Sequence, residues 1–167
     1  MPGENKKQLK IHIITLSDRA YRGVYEDKSG PKIKEKLEEH YKDTVTEITS
    51  EIVPDEKDIL LKALEKAVFG NADLIFTTGG TGVGPRDITP EVVTEFADKI
   101  IPGIMDHIRL KYGQTIPNAL ISRSVAGIRN RTIIYSLPGS VKAVDEYMNE
   151  ILLTVDHLML MVCGEGH

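Results

Sequence analysis

Short apolar runs alternate with longer stretches of helical periodicity along this chain, and that alternation constrains the fold more than any other feature. Residues rich in β-branched side chains predict strands, and apolar residues three and four positions apart predict helices. The predicted strands are Leu9 to Leu16, Thr44 to Val53, Asp73 to Thr77 and Thr132 to Ser136, and the predicted helices are Ser29 to about His40, Glu56 to Phe69, a helix from Thr89, Ile104 to Tyr112 and Val141 to Val162. Such alternation is typical of a single α/β domain whose mostly parallel, twisted sheet is covered by helices on both faces.

Several residues at the predicted helix starts are of the types that cap helices. Ser29 precedes Gly30-Pro31, Asp55 follows Pro54, and Thr89 precedes Pro90, so we expect each to cap the helix that follows it. The segment from Ala119 to Arg131 is ambiguous between irregular structure and a strand in a hairpin. The last helix is densely apolar, which predicts burial on more than one side and hence an oligomer.

Composition and charge narrow the class of protein. The 167 residues are 41% hydrophobic and 28% charged, as in ordinary globular proteins, so residues 1–167 are interpreted as one domain with a flexible tail over residues 1–8. A net charge of −4 argues against a nucleic-acid partner. The N-terminus has no signal-peptide pattern, no stretch is long enough to span a membrane, and the single Cys163 has no disulfide partner. We therefore expect a cytoplasmic protein.

Four loops leave predicted strands at their carboxyl ends, where ligands of α/β sheets bind. They begin at Ser17, Pro54, Thr78 and Leu137. The third loop holds the sequence Thr77-Thr78-Gly79-Gly80-Thr81-Gly82. Its glycines allow a tight turn and a close approach of a ligand, and successive N–H groups can form an anion nest. It is neither a P-loop nor a dinucleotide-binding fingerprint, so a phosphate cradle and a plain surface turn both stay open.

The loops also carry charged residues suited to phosphate chemistry. Arg86 is a candidate phosphate ligand and Asp87 a candidate Mg²⁺ ligand, with a surface ion pair as the alternative. Asp55 is more typical of a helix cap. Ser140, in the turn Leu137-Pro138-Gly139-Ser140, suits either an N-cap or an anion site at a helix N-terminus.

Taken together, the motifs resemble the MogA/MoaB family of molybdopterin adenylyltransferases, which also occurs as a domain of gephyrin-like proteins. The motifs are Leu16-Ser17-Asp18-Arg19-Ala20 with Gly23-Val24-Tyr25 and Asp27; Val53-Pro54-Asp55-Glu56; Thr77 to Gly82; Pro85-Arg86-Asp87-Ile88-Thr89-Pro90-Glu91; Ile101-Pro102-Gly103; Ala119-Leu120-Ile121-Ser122-Arg123; and Leu137-Pro138-Gly139. The resemblance covers the chain from about Leu9 to the last helix, and the order and spacing of the motifs make it specific.

The resemblance implies a three-layer αβα fold, a homotrimer and the adenylylation of molybdopterin by Mg-ATP with release of pyrophosphate. It implies that Asp55 and Asp87 are catalytic and hold Mg²⁺. The implied substrate- and nucleotide-binding residues are Ser17, Asp18, Thr78, Gly79, Gly80, Thr81, Gly82, Arg86, Pro138, Gly139 and Ser140. A separate protein then inserts the metal, molybdenum or tungsten, into the product.

Three other functions are also compatible with this sequence. The first is a non-catalytic molybdopterin carrier or an inactive MoaB-type paralogue. The second is a nucleotide-dependent enzyme that acts on another small phosphate. The third is a purely structural oligomer, which leaves the polar loops at one sheet edge without a role.

Overall fold

The computed structural model describes residues 8–44 and 46–165. Apart from residue 8, the predicted flexible tail lies outside the described residues. The chain forms a six-stranded sheet with the strand order β2-β1-β3-β6-β5-β4. The strands are β1 Leu9–Leu16, β2 Thr46–Val53, β3 Leu74–Thr78, β4 Lys99–Ile100, β5 Ala126–Arg129 and β6 Thr132–Leu137. Strands β2, β1, β3 and β6 are parallel to one another, and β5 pairs antiparallel with β6 and β4, which confirms a mostly parallel sheet.

Helices cover both faces of this sheet, as a three-layer α/β fold requires. They are α1 Asp18–Tyr21, α2 Ser29–His40, α3 Lys57–Phe69, α4 Thr89–Phe96, α5 Pro102–Gly113, α6 Val141–Ile151 and α7 Val155–Val162, with a 3₁₀ helix over Pro117–Ile121. Helices α2, α5, α6 and α7 contribute to one buried apolar cluster and α3 and α4 to the other. The central strands divide their side chains between the two clusters: Ile13, Phe76 and Tyr135 enter the first, and Ile14 and Ile75 the second.

The ambiguous segment between Ala119 and Arg131 resolves into the 3₁₀ helix and the strand β5. Asn130, with φ of 53°, makes the tight turn into β6, so the hairpin interpretation is confirmed. The two-residue strand β4 was not predicted, because two residues are too short to show an alternating pattern.

The three predicted capping residues do not cap their helices. Helix α2 has Lys28 at its N-cap, and the carboxylate of Asp27 instead accepts bonds from the backbone N–H groups of Ser29 (3.1 Å) and Gly30 (3.2 Å). Helix α4 begins after Ile88, and the hydroxyl of Thr89 donates to the carbonyl of Gly79 at 2.9 Å.

Asp55 does not cap α3 either, whose N-cap is Glu56 without a side-chain bond. Its carboxylate instead accepts the backbone N–H of Asp18, which lies in the loop after β1.

The predicted last helix is broken into α6 and α7. The hydroxyl of Thr154 donates to the carbonyl of Ile151 at 3.4 Å, and the backbone N–H of Thr154 bonds to the same carbonyl, which tightens the turn and stops α6. Of the residues of α7, only Val155 is fully buried, while Leu160 and Met161 are 48% and 46% exposed. The expected burial on more than one side, in a core or a subunit interface, is therefore not reached by α7 within one chain and stays a prediction.

Within residues 8–44 and 46–165, no helix combines the length and apolar character that crossing a lipid bilayer demands.

Candidate functional site

The four predicted loops meet at the carboxyl edge of the parallel strands. The strand order reverses at β1, which has β2 on one side and β3 on the other. Such a reversal leaves a crevice between the diverging loops. An open cleft of about 430 Å³ lies at this edge and is lined by Gly79, Gly80, Thr81, Gly82, Asp87, Asn118, Ile121, Ser122, Pro138 and Gly139.

The glycine loop, residues 79–82, is held against the sheet by contacts that only glycine allows. Gly79 has φ of 99°, and a Cβ there would lie 2.3 Å from the carbonyl oxygen of Leu16. Gly80 has φ of 69°, and its Cβ would lie 2.4 Å from the hydroxyl of Thr89. The N–H of Gly79 donates to the carbonyl of Leu137 at 3.0 Å. The first turn of the loop is therefore fixed by the ends of β1 and β6 together.

Backbone donors remain for a ligand further along this loop. Among residues 8–44 and 46–165, no acceptor receives the backbone N–H groups of Gly80, Thr81 or Gly82. All three residues line the cleft. Consecutive free N–H groups are suited to an anion such as a phosphate. The geometry favours the cradle over the plain turn.

Asp18 and Asp55 join the loops after β1 and β2 through a reciprocal pair of hydrogen bonds. The backbone N–H of Asp18 donates to Oδ2 of Asp55 at 2.9 Å, and that of Asp55 donates to Oδ1 of Asp18 at 3.0 Å. Each carboxylate thus fixes the backbone of the other loop. Oδ1 of Asp55 is left beside the glycine loop, 3.6 Å from the position that a Cβ on Gly80 would take.

Arg86 is engaged by Asp18 in a two-point contact. Its Nε and Nη2 donate to the two carboxylate oxygens at 2.6 and 3.0 Å. These hydrogen bonds lower the pKa of Asp18, so this carboxyl stays ionised at neutral pH. The guanidinium therefore orders the Asp18–Asp55 pair in addition to any contact that it makes with a phosphate.

The environment of Asp55 shifts its pKa in the opposite direction. Burial raises the pKa of this carboxyl, and the negative charges of Asp18 and Asp87 add to the effect, against the backbone N–H of Asp18 and the charge of Arg86. A carboxylate with this environment gains from a cation, since a positive charge offsets both burial and the neighbouring acids.

Asp87 lies over the far end of the glycine loop. Its Oδ2 accepts from the backbone N–H of Gly84 at 2.8 Å, and a Cβ on Gly82 would lie 2.8 Å from the same oxygen. Asp87 lines the cleft at Gly82, and Asp55 lies beside Gly80, so the structure places both carboxylates next to the glycine loop.

This donor set fits Mg²⁺ completed by a substrate. Mg²⁺ in nucleotide sites binds one or two carboxylates and takes its other ligands from phosphate and water. Among the described residues, no group of three or more His, Cys, Asp and Glu side chains is arranged to hold a metal ion. A cation held by Asp55 and Asp87 would therefore need ligands besides these two side chains.

The remaining predicted residues divide between the cleft and its supports. Pro138 and Gly139 line the cleft, and the hydroxyl of buried Thr78 donates to the carbonyl of Pro138 at 2.8 Å. Ser17 and Ser140 cap helices: their hydroxyls accept from the N–H groups of Ala20 at 3.1 Å and Ala143 at 3.2 Å. The cap interpretation of Ser140 is thus confirmed.

The sequence analysis did not assign the residues of one wall of the cleft to the site. Asn118, Ile121 and Ser122 lie in or just after the 3₁₀ helix, and they face the glycine loop from a distant part of the chain. The ambiguous periodicity of that segment hid its place. The family motif from Ala119 to Arg123, which contains Ile121 and Ser122, was the sequence signal that could have found it.

Comparison with known proteins places this geometry in a family. Residues 12–157 match the family described as "Probable molybdopterin binding domain". A molybdopterin adenylyltransferase of Helicobacter pylori is 38% identical over 157 residues, which cover 93% of this chain and 89% of that protein.

Solved structures agree with the sequence relatives. The molybdopterin biosynthesis enzyme MoaB of Thermus thermophilus superimposes with a TM-score of 0.85 at 38% identity, covering 94% of this chain and 98% of that one. The tungsten cofactor synthesizing protein MoaB of Pyrococcus furiosus gives a TM-score of 0.82 at 36% identity, covering 96% and 99%. This chain therefore has the same three-layer α/β fold as these solved structures.

Proposed function

Because the chain belongs to this molybdopterin-binding family of molybdenum cofactor biosynthesis, we propose that it is a nucleotidyltransferase that adenylylates molybdopterin. The substrates are molybdopterin and ATP, and the products are adenylylated molybdopterin and pyrophosphate. The observation that carries the proposal is the convergence of Asp55 and Asp87 on a loop with three free backbone N–H groups. Carboxylates for a metal beside donors for a phosphate are the parts that phosphoryl-group chemistry needs.

The reaction is a displacement at the α-phosphorus of ATP. A terminal phosphate oxygen of molybdopterin forms the new P–O bond, and the bond to the β-phosphate oxygen breaks, so pyrophosphate leaves with its electron pair. No protein nucleophile takes part, because the attacking oxygen is already an anion. Catalysis then rests on positioning and on neutralising charge.

Each loop has a separate task in this scheme. The N–H groups of Gly80 to Gly82 bind one phosphate group in the cleft, and Asp55 and Asp87 would hold Mg²⁺. The chemistry that the ion would supply there is positive charge against the charge that develops on the phosphate oxygens. Asp18 and Arg86 keep Asp55 at a fixed place beside the glycine loop. Arg86 contributes positive charge near the triphosphate.

We further propose that the protein is a cytoplasmic homotrimer that passes its product to a molybdenum-insertion protein. Exposed apolar residues on and before α7 support an interface between subunits, since Leu153, Leu160 and Met161 are 78%, 48% and 46% exposed. The later insertion step would determine whether the metal is molybdenum or tungsten.

Turnover by purified protein with molybdopterin, ATP and Mg²⁺ tests the activity directly. We expect adenylylated product and pyrophosphate from the wild type, and a loss of at least about a hundredfold in kcat from Asp87→Asn, which removes a metal ligand while keeping the side-chain shape. Asp43→Asn is the matched control, since this exposed aspartate lies just before β2, at the opposite edge of the sheet.

Two outcomes would contradict the proposal. A folded wild type that binds molybdopterin without turnover would make the protein a carrier or an inactive paralogue. Normal turnover by Asp87→Asn would remove Asp87 from the catalytic site.

A further inference from the structure

Arg123 is a residue outside the predicted site that contacts the glycine loop at several points. It follows the 3₁₀ helix, and its backbone N–H donates to the carbonyl of Thr81 at 2.9 Å. A segment far along the chain thereby pairs with the middle of the loop. Thr81 is followed directly by Gly82, and the carboxylate of Asp87 lies beside Gly82.

The guanidinium of Arg123 bonds to both ends of the exposed segment 82–87. Its Nε donates to the carbonyl of Gly82 at 2.8 Å, and its Nη2 donates to the carbonyl of Asp87 at 2.9 Å. Its Nη1 donates to the carboxylate of Glu91 in the first turn of α4. One planar group therefore holds the glycine loop, the backbone of Asp87 and the start of α4 in a single arrangement.

This arrangement has a consequence for the cleft. Residues 83 to 86 are exposed, and within the segment the carboxylate of Asp87 bonds only to the N–H of Gly84. Thr89 ties the start of α4 to Gly79 and Gly80, and Arg123 adds the contacts at Gly82 and Asp87 themselves. Without the contacts of Arg123, the distance from the N–H of Gly82 to the carboxylate of Asp87 would be held less tightly. The rigid fork of an arginine fixes such a distance, whereas a lysine ammonium at the end of a flexible chain cannot replace its separate bonds.

We propose that Arg123 is a positioning residue, which sets the distance between the phosphate-binding N–H groups and the metal-binding carboxylate of Asp87. The proposal rests on the function proposed above for those groups. Arg123 touches neither the nucleotide nor the metal, and acts through the carbonyls of Gly82 and Asp87. Glu91 completes the clamp by holding the guanidinium in its plane.

The test compares Arg123→Lys with Arg129→Lys. Arg129 is a matched control because it is an arginine of similar exposure that pairs with Asp98 at 2.9 Å on β5, outside the cleft. We expect kcat of Arg123→Lys to fall about 10- to 100-fold, because misplacement of about 1 Å has an effect of that size. The Mg²⁺ concentration for half-maximal rate should rise several-fold, with less change in KM for molybdopterin, and Arg129→Lys should behave as wild type.

A second readout does not depend on activity. Hydrogen exchange of the three hydrogen-bonded amides at this segment, those of Gly84, Asp87 and Thr89, should be faster in Arg123→Lys and unchanged in Arg129→Lys when measured without substrates. If the wild type shows no turnover, the proposed function fails while this exchange measurement still decides whether the clamp exists. Unchanged exchange would overturn the clamp. Faster exchange with unaltered kcat and Mg²⁺ dependence would overturn its positioning role.

Glu91→Gln serves if Arg123→Lys does not fold. The amide keeps the shape of the carboxylate and removes its charge, so the guanidinium keeps both carbonyls and loses only its charged partner. We expect a loss of a few-fold in kcat with faster exchange at the same three amides, and wild-type values for both would refute the proposal.

Discussion

Replacing Gly79 by alanine tests whether the close packing of the glycine loop on β1 is a real constraint. The new Cβ would lie 2.3 Å from the carbonyl oxygen of Leu16, far inside van der Waals contact. Leu16 is the last residue of a buried strand paired on both sides, so its carbonyl has little room to move. The substitution therefore has to strain the backbone at the end of β1, where the strand order of the sheet reverses.

Two effects add to the cost. An alanine at φ of 99° is in a region that L-residues avoid, at about 1–2 kcal/mol. Forcing an extra methyl group into a packed site costs about 1–3 kcal/mol. The lower entropy of the unfolded chain returns about 0.4–1 kcal/mol. We therefore expect Gly79→Ala to lower the free energy of unfolding by about 2–4 kcal/mol, a large share of a typical total of about 5–15 kcal/mol.

Two other glycines separate these effects in urea denaturation followed by circular dichroism. Gly23 has φ of 74° with nothing within 4 Å of a built Cβ, so Gly23→Ala carries the conformational cost alone, about 1 kcal/mol. Gly103 in α5 has neither a positive φ nor a close neighbour, so Gly103→Ala should be neutral or stabilising by about 0.5 kcal/mol. If Gly79→Ala and Gly23→Ala lose the same stability with unchanged m-values, the contact with Leu16 is not a constraint and the reasoning is wrong.

Arg86→Ala should move the acid limb of the kcat/KM profile to higher pH. The positive charge of Arg86 lowers the pKa of both Asp55 and Asp18, so its loss raises both pKa values, and the reaction needs Asp55 in its ionised form. An unmoved limb, or one at lower pH, would separate Arg86 from Asp55. Ser140→Ala should lower the free energy of unfolding by about 1 kcal/mol through loss of the α6 cap, and Ser140→Asp should restore it with unchanged KM; a change in KM at full stability would instead indicate ligand contact. Light scattering should give a trimer, and Leu160→Glu on α7 should shift it toward monomer; a wild-type monomer at micromolar concentration would exclude the assembly.

The sequence predicted the central strands well, because their chemistry is local. Leu9–Leu16 has the predicted bounds, β6 differs from its prediction by one residue at one end, and β3 is shifted by one residue at each end. Buried parallel strands read as short apolar runs bounded by polar turns, and this chain follows that pattern. The four ligand loops followed directly from the strands, since a strand end fixes where its loop begins.

The capping residues were predicted less well, because a capping bond depends on which neighbours arrive. Asp27 takes the role given to Ser29, although it lies two positions earlier. Asp55 looks like a cap in sequence, yet its carboxylate receives the N–H of Asp18 from another loop. Only the pairing of β1 with β2 brings that N–H within reach.

The contacts of the arginines were beyond sequence reasoning for the same reason. Arg86 was predicted as a phosphate ligand, and the structure engages it with Asp18. Arg123 was noted only as part of a motif, and its carbonyl partners belong to a loop some forty positions earlier. Side chains with several donors can satisfy many partners, so their choice is set by the assembled fold.

The reciprocal bonds between Asp18 and Asp55 also bear on how this chain can change over evolutionary time. Each carboxylate serves the main chain of the other loop, and Arg86 serves one of them, so a substitution at any single position leaves a donor or a charge without its counterpart. Asp18 and Arg86 should therefore change together more readily than one at a time, whereas Asp55, which also serves the proposed metal site, should stay fixed. A library that varies the codons of Asp18 and Arg86 jointly would recover more functional combinations than the two single-site libraries predict.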